Sequence, residues 1–205
     1  MKSTASIFGF ILCACTAVSL PAQMLDDFES YESSQIVGVS AQSSPWFRIG
    51  AATLDNVTVT SNGDRVIAGR LSGQYLVQWP ASFGSARYRF ESPRDLQACP
   101  GFSVMLKSDL PESQTRVRLL INGMDTVYLA RAEQALTTDA RLFSTTMAEA
   151  DYERVYGEAA FDQVLRKVEA LGFQATHPAD AAAAEVSELI LIDDLRLLED
   201  SAEPQ

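Results

Sequence analysis

The chain has one histidine, His177, and three cysteines, two of which, Cys13 and Cys15, lie close to its N-terminus. A metal site with two histidines is therefore excluded. Neither a zinc ribbon nor a disulfide framework fits Cys13, Cys15 and Cys99. Basic residues are also scarce, with 16 Lys and Arg against 27 Asp and Glu and a formal charge of -11. A nucleic-acid partner is argued against on that ground, because neutralising phosphates takes a surplus of Lys and Arg. There is no G-x-S-x-G elbow and no phosphate-binding glycine loop, and Gly50, Gly63, Gly69, Gly73 and Gly84 read as turns and bulges. After residue 20 no apolar run approaches the roughly 18 residues that a spanning helix needs, so no transmembrane segment is expected.

What remains is an ordinary globular composition: 205 residues, 47% apolar, 21% charged and 9% aromatic. Met1-Lys2, the apolar run from Ile7 to Leu20 and Pro21-Ala22-Gln23 read as a secretory signal peptide over residues 1–23, cleaved after Ala22 or Gln23. The alternative is Leu12-Cys13-Ala14-Cys15, which resembles a lipoprotein box and would leave a lipidated Cys15. Both readings place the protein outside the cytoplasm, in the periplasm, at the cell surface or in the medium. Signal cleavage leaves Cys99 as the one thiol, so stability has to come from the core, which about 180 residues can supply. Calcium is the other staple available outside a cell.

Residues 25–145 carry short alternating runs separated by Gly, Pro, Asn and Ser, the spacing of an antiparallel sandwich. Strands are expected at Leu25–Tyr31, Trp46–Gly50, Val57–Thr60, Gly73–Trp79, Ser85–Phe90, Gly101–Ser108, Thr115–Asn122 and Thr126–Ala130. In Ala86-Arg87-Tyr88-Arg89-Phe90 the two arginines point to one face and the apolar residues to the other. Met147 to Lys167 is rich in Ala and Glu, with Val155, Ala159 and Val164 at helical spacing, and reads as a helical insert. Strands follow at Val168–Ala175 and Glu188–Leu198, and residues 200–205 form a tail. The whole of 24–199 reads as one domain.

Four pieces in order carry a resemblance. They are Leu25-Asp26-Asp27-Phe28-Glu29-Ser30-Tyr31, Gly69-Arg70-Leu71-Ser72 leading into Tyr75 to Trp79, Phe102 to Ser108, and Leu191-Ile192-Asp193-Asp194-Leu195-Arg196-Leu197. The set resembles the galactose-binding-like jelly roll of bacterial carbohydrate-binding modules. The resemblance implies a mainly β fold, an antiparallel jelly-roll sandwich, in which the first and last strands lie together. It also implies a structural calcium bridging acidic side chains from both chain ends, with Asp27, Glu29 and Asp194 at the matching positions. The plainer account of Asp26-Asp27 and Asp193-Asp194 is that they sit at solvated strand ends.

Sugar recognition uses aromatic faces together with amide or guanidinium groups. Trp46, Trp79, Tyr75 and Tyr128 are the candidate platforms, each of which could equally be core. Seven bases against five acids lie between residues 86 and 131, whereas residues 133–205 hold sixteen acids against five bases. If their strands are neighbours, Arg87, Arg89, Arg116 and Arg118 share one sheet face. That face would either bind carboxylated or sulfated glycans or pair with local Asp and Glu.

The reading is an exported, non-catalytic carbohydrate-binding β-sandwich with Trp46, Trp79, Arg116 and Arg118 as ligand residues. Its partner is a polysaccharide or glycoconjugate, with an anionic one favoured by the arginines. One alternative is an envelope protein-interaction module, docking through a stripe of Val155, Tyr156, Phe161, Val164 and Leu165. The other is a glycan lyase or hydrolase on a jelly roll, for which no residue spacing singles out a catalytic pair.

Overall fold

The computed structural model describes residues 23–38, 45–50, 57–81, 83–178 and 185–199. Residues 1–22, where the signal peptide is expected and Cys13 and Cys15 lie, and the expected tail 200–205 are outside the described residues. Among the described residues there are fourteen strands: β1 (Gln23–Asp26), β2 (Ile36–Gly38), β3 (Trp46–Ile49), β4 (Val57–Thr60), β5 (Ser72–Trp79), β6 (Gly84–Arg94), β7 (Gly101–Ser108), β8 (Arg116–Gly123), β9 (Thr126–Ala130), β10 (Gln134–Ala135), β11 (Arg141–Thr146), β12 (Tyr152–Tyr156), β13 (Val168–Thr176) and β14 (Val186–Leu197). The strands expected at Val57–Thr60, Gly101–Ser108 and Thr126–Ala130 have those bounds; the first two alternate between turn-favouring residues, and the third is a short β-favouring run buried throughout. The opening strand is shorter than expected. Asp26 Oδ1 accepts the Phe28 N–H at 2.8 Å, and Phe28 takes φ 60, which turns its ring into the core.

The strands form two layers. One runs β11-β7-β14-β5-β4 and the other β3-β6-β13-β8-β9-β12; β2 joins them by pairing antiparallel with β4 and parallel with β3. The layers pack face to face, with the rings of Tyr75 on β5 and Phe173 on β13 6.5 Å apart. β1 pairs with β14, Met24 opposite Arg196, so the chain's opening and closing strands do lie side by side. Among the described residues no helix is long and apolar enough to cross a membrane.

The helical insert is corrected. Glu149–Asp151 is a single 3-10 turn, Tyr152–Tyr156 is a strand, and only α1 (Phe161–Leu165) is helical. The edge of β9 supplies the reason. Tyr152 pairs with Ala130 and Glu153 with Leu129, and these tertiary pairings override the high helix propensity of Ala and Glu, which spans under about 1 kcal/mol per residue. Gly157 at φ 80 then ends the strand, where a Cβ would lie 2.4 Å from Asp125 O. The supposed apolar stripe is consequently split: Phe161, Val164 and Leu165 are core, whereas Val155 and Tyr156 are exposed on β12.

Among the described residues three acids are buried: Asp26, Glu188 and Asp193. Buried carboxylates persist only when donors satisfy their lone pairs. Asp26 accepts from Phe28 N–H, the Tyr31 hydroxyl and Trp46 Nε1; Asp193 accepts from Ala68 and Asp194 N–H and the Ser72 hydroxyl. Glu188 accepts from Ser108, Ser113, Thr115 and Trp79.

Candidate functional site

The two tryptophans are not on the surface. Trp46 is fully buried and Trp79 nearly so, and each uses its indole N–H inside the protein: Trp46 on Asp26 Oδ2 at 2.8 Å, Trp79 on Glu188 Oε2 at 2.9 Å. Their expected role as sugar platforms is corrected on that ground, since stacking needs an open ring face. Strand parity decides it. Trp46 lies opposite Tyr88 on the core side and rests on Phe28, with ring centroids 5.5 Å apart. Trp79 packs on His177, centroids 5.3 Å apart. Tyr75 and Tyr128 are buried as well, the latter donating its hydroxyl to Ala159 O at 2.8 Å.

The calcium positions have protein partners. Glu29 accepts the backbone N–H groups of Arg70 (2.5 Å) and Leu71 (2.8 Å) and pairs with the Arg70 guanidinium at 3.3 Å. The Leu71 and Arg70 amides hold its carboxyl below the usual range. Asp27 Oδ1 accepts the Glu29 N–H at 3.1 Å, and Asp194 is ion-paired with Arg196. Calcium takes about six to eight oxygen ligands. Among the described residues no three His, Cys, Asp or Glu side chains come together to hold an ion. As arranged, Asp27, Glu29 and Asp194 do not fit a calcium shell.

The arginines are gathered as alternation suggested. Phe173 of β13 faces the core, so its neighbours Gly172 and Gln174 face outward. Register places Arg87 of β6 opposite Gly172 and Arg118 of β8 opposite Gln174, with Arg89 opposite Ala170 and Arg116 opposite Thr176. All four arginines therefore share the outer face of one sheet, although β13 separates the two pairs. The same face carries Phe47, directly opposite Arg87 on β3 and only 9% exposed, which forms an apolar floor with buried Leu120 and Leu129. Backbones approach closely here: a Cβ on Gly172 would lie 2.2 Å from Ala86 O and 2.8 Å from Arg87 Cα.

The four guanidiniums have different environments. Arg118 donates to Ala130 O at 2.5 Å and pairs with Glu153 at 2.7 Å; Glu153 also faces Arg131 at 3.8 Å. This is the cross-strand pairing alternative, realised at one end of the face. Arg116 is exposed at the start of β8. Arg87 is 5% exposed, its Nε donates to Ser85 Oγ at 3.1 Å, and burial pushes its pKa down to about 10, which leaves it charged at neutral pH. Arg89 lies over the Phe47 ring at 4.4 Å, and Arg87 is 6.0 Å from the same ring. Phe47 was not singled out in the sequence. The available signal was parity: if Trp46 points inward, its neighbour points out.

The opposite layer carries a groove of about 500 Å³ on its own outer face, lined by Ile36, Gln74, Leu76 and Leu189 with Arg65 and Asp109. It offers no aromatic ring, and its charges balance, so it is the weaker candidate for sugar recognition.

No protein-family model matches the sequence, and no curated protein does. Solved structures do match. The family 11 carbohydrate-binding module of a cellulosomal cellulase from Clostridium thermocellum is 11% identical, with a TM-score of 0.54 over 86% of this chain and 94% of that one. A solution structure of that type of module gives 0.56 over 90% and 97%, again at 11% identity. An exo-β-agarase is 12% identical with a TM-score of 0.52, over 89% of this chain but 26% of the agarase. The likeness is one of fold, and the fold is the jelly-roll β-sandwich of carbohydrate-binding modules.

Proposed function

We propose that the chain is an exported, non-catalytic carbohydrate-binding β-sandwich whose ligand lies across the outer face of the β3-β6-β13-β8-β9-β12 sheet. The observation that carries this reading is that Arg87, Arg89, Gln174, Arg116 and Arg118 gather on that face, which gives it an amide and guanidinium donors over an apolar floor of Phe47, Leu120 and Leu129. Amides and guanidiniums take the hydroxyls of a sugar, and sites of this kind combine apolar area with a few placed polar groups. The fold supports it too: the Clostridium module has been solved with a β-1,3-1,4-mixed-linked tetrasaccharide. A binding role is favoured over hydrolysis because the buried acids Asp26, Glu188 and Asp193 lie in the core with their oxygens taken up by donors. Glu153, beside Arg118, is tied to two arginines.

Calorimetric titration of residues 24–205 with neutral and acidic oligosaccharides tests the proposal. Phe47→Ala should weaken binding at least about tenfold, because the ring over which the Arg89 guanidinium lies at 4.4 Å is lost, without changing the circular dichroism spectrum. Binding that is indifferent to Phe47 would refute this face as the site. A second reading has its own observation. Val155 and Tyr156 are 48% and 67% exposed on β12, the terminal strand of the layer, and an unpaired edge of that kind suits an envelope protein partner. Failure of every glycan to bind, together with a partner lost on Tyr156→Ala, would favour it.

A further inference from the structure

The arginines of the fold differ in their partners. Arg118, Arg196 and Arg70, all more exposed than Arg87, each have a carboxylate: Glu153, Asp194 and Glu29. Arg87 is the buried one, and among the described residues no carboxylate lies within ion-pair distance of it or of Arg89. Burying a guanidinium costs desolvation free energy that a counter-charge offsets, so a protein that keeps one buried and unpaired forgoes stability.

The guanidinium is also held still. Its Nε donates to Ser85 Oγ, and that hydroxyl is fixed in turn by donating to Phe173 O at 2.9 Å. The Nε is thus occupied, and the two Nη groups form no hydrogen bond among the described residues, leaving the edge of the fork that binds carboxylates and sulfates bidentately. Arg89 follows on the same strand and the same face, roughly 7 Å away, its guanidinium stacked on Phe47. Two like charges at that spacing repel, and an anion between them relieves both. Phe47, 9% exposed, packs beneath the two guanidiniums and fixes where they lie.

We infer that this face recognises an acidic sugar, the carboxylate or sulfate of one glycan unit serving as the counter-charge of Arg87 with Arg89 beside it. The inference rests on the carbohydrate-binding reading above and narrows it to a class of glycan. Neutral glucans would leave Arg87 without a counter-charge.

The test uses short probes, because the chain's overall charge of -11 would repel a long polyanion and obscure the local attraction. Trigalacturonate presents carboxylates, a sulfated galactan trisaccharide presents sulfates, and β-1,4-galactotriose is neutral. Each is titrated into residues 24–205, wild type, Arg87→Gln, Arg89→Gln and Phe47→Ala. One acidic probe should bind at least about 30-fold more tightly than galactotriose, and whichever of the two does so names the anion. Arg87→Gln should abolish that preference, and Arg89→Gln should reduce it by about tenfold. Arg89→Gln keeps the test decisive should Arg87→Gln perturb folding, since Arg89 is more exposed. Equal affinity for neutral and acidic probes, unaffected by either arginine but lost in Phe47→Ala, overturns the acidic class and leaves the binding face standing. Binding of none of the probes, or binding indifferent to Phe47, overturns the inference together with the reading beneath it.

Discussion

Glu188 offers the sharpest test of how this core is held together. Its side chain is 1% exposed and ties three parts of the fold to β14: Ser108 Oγ from the end of β7 at 2.5 Å, Ser113 Oγ at 2.6 Å and the Thr115 hydroxyl from the following loop, and Trp79 Nε1 from β5 at 2.9 Å. Glu188→Leu removes the acceptor but leaves all four donors. The hydroxyls can turn toward other acceptors, whereas the indole N–H of Trp79 cannot. Charging about 1–3 kcal/mol for the stranded indole and less for each hydroxyl gives a loss of roughly 3–6 kcal/mol. Glu188→Gln keeps one carbonyl oxygen for Trp79 and offers an NH2 group to hydroxyls that can accept as well as donate, so its cost should be about 1 kcal/mol. Urea unfolding followed by tryptophan emission measures both, and Trp79 itself reports on the site. For a chain of this size the leucine variant should melt roughly 6–20 °C lower. Equal losses for leucine and glutamine, or a leucine loss below about 1 kcal/mol, would refute the claim that unmet donors dominate.

Asp193 predicts a pH effect of defined sign. Burial raises its pKa from 3.8 to about 6, so the native state holds the proton after the unfolded state has released it, and stability falls by roughly 2–3 kcal/mol as pH rises from about 4 to about 6. Asp193→Asn should flatten that limb of the stability–pH curve, and an unchanged limb would count against the assignment. Gly172→Ala should cost about 2–3 kcal/mol in urea unfolding, because its Cβ meets backbone atoms of β6 rather than a movable side chain; a cost under about 0.5 kcal/mol would show that the strands can part. Glu29→Gln should speed amide exchange at Arg70 and Leu71, the two N–H groups the carboxylate accepts, and unchanged exchange would mean they are protected otherwise. Since Glu29 and Asp194 have protein partners, adding calcium or a chelator should leave the melting temperature unchanged, and a shift of several degrees would show that these acids rearrange around a cation.

The β-sandwich was legible because alternation and turn residues are local signals. Val57–Thr60, Gly101–Ser108 and Thr126–Ala130 each sit between residues that favour turns, and the alternation of Arg87 and Arg89 against Tyr88 and Phe90 already sorted two faces. Residues 147–167 misled because composition favoured a helix, while the pairing that made Tyr152–Tyr156 a strand came from β9. The tryptophans misled differently. Aromatic identity says that a ring will be packed, but the side of the sheet depends on register, and the acids that anchor the two indoles are 20 and 109 residues away along the chain.

By itself the sequence determined the β-rich class, the strand positions in most of the chain and the alternation that puts the arginines on one side of their strands, all consequences of backbone geometry over a few residues. Tertiary structure alone decided which strands are neighbours. That choice made Trp46 and Trp79 core donors, brought Phe47 out beside Arg87 and Arg89, and gave Arg118 a carboxylate while Arg87 received none. The physical reason is that a charge or an indole N–H is satisfied by whatever the fold places within about 3 Å of it, and no local pattern encodes that distance.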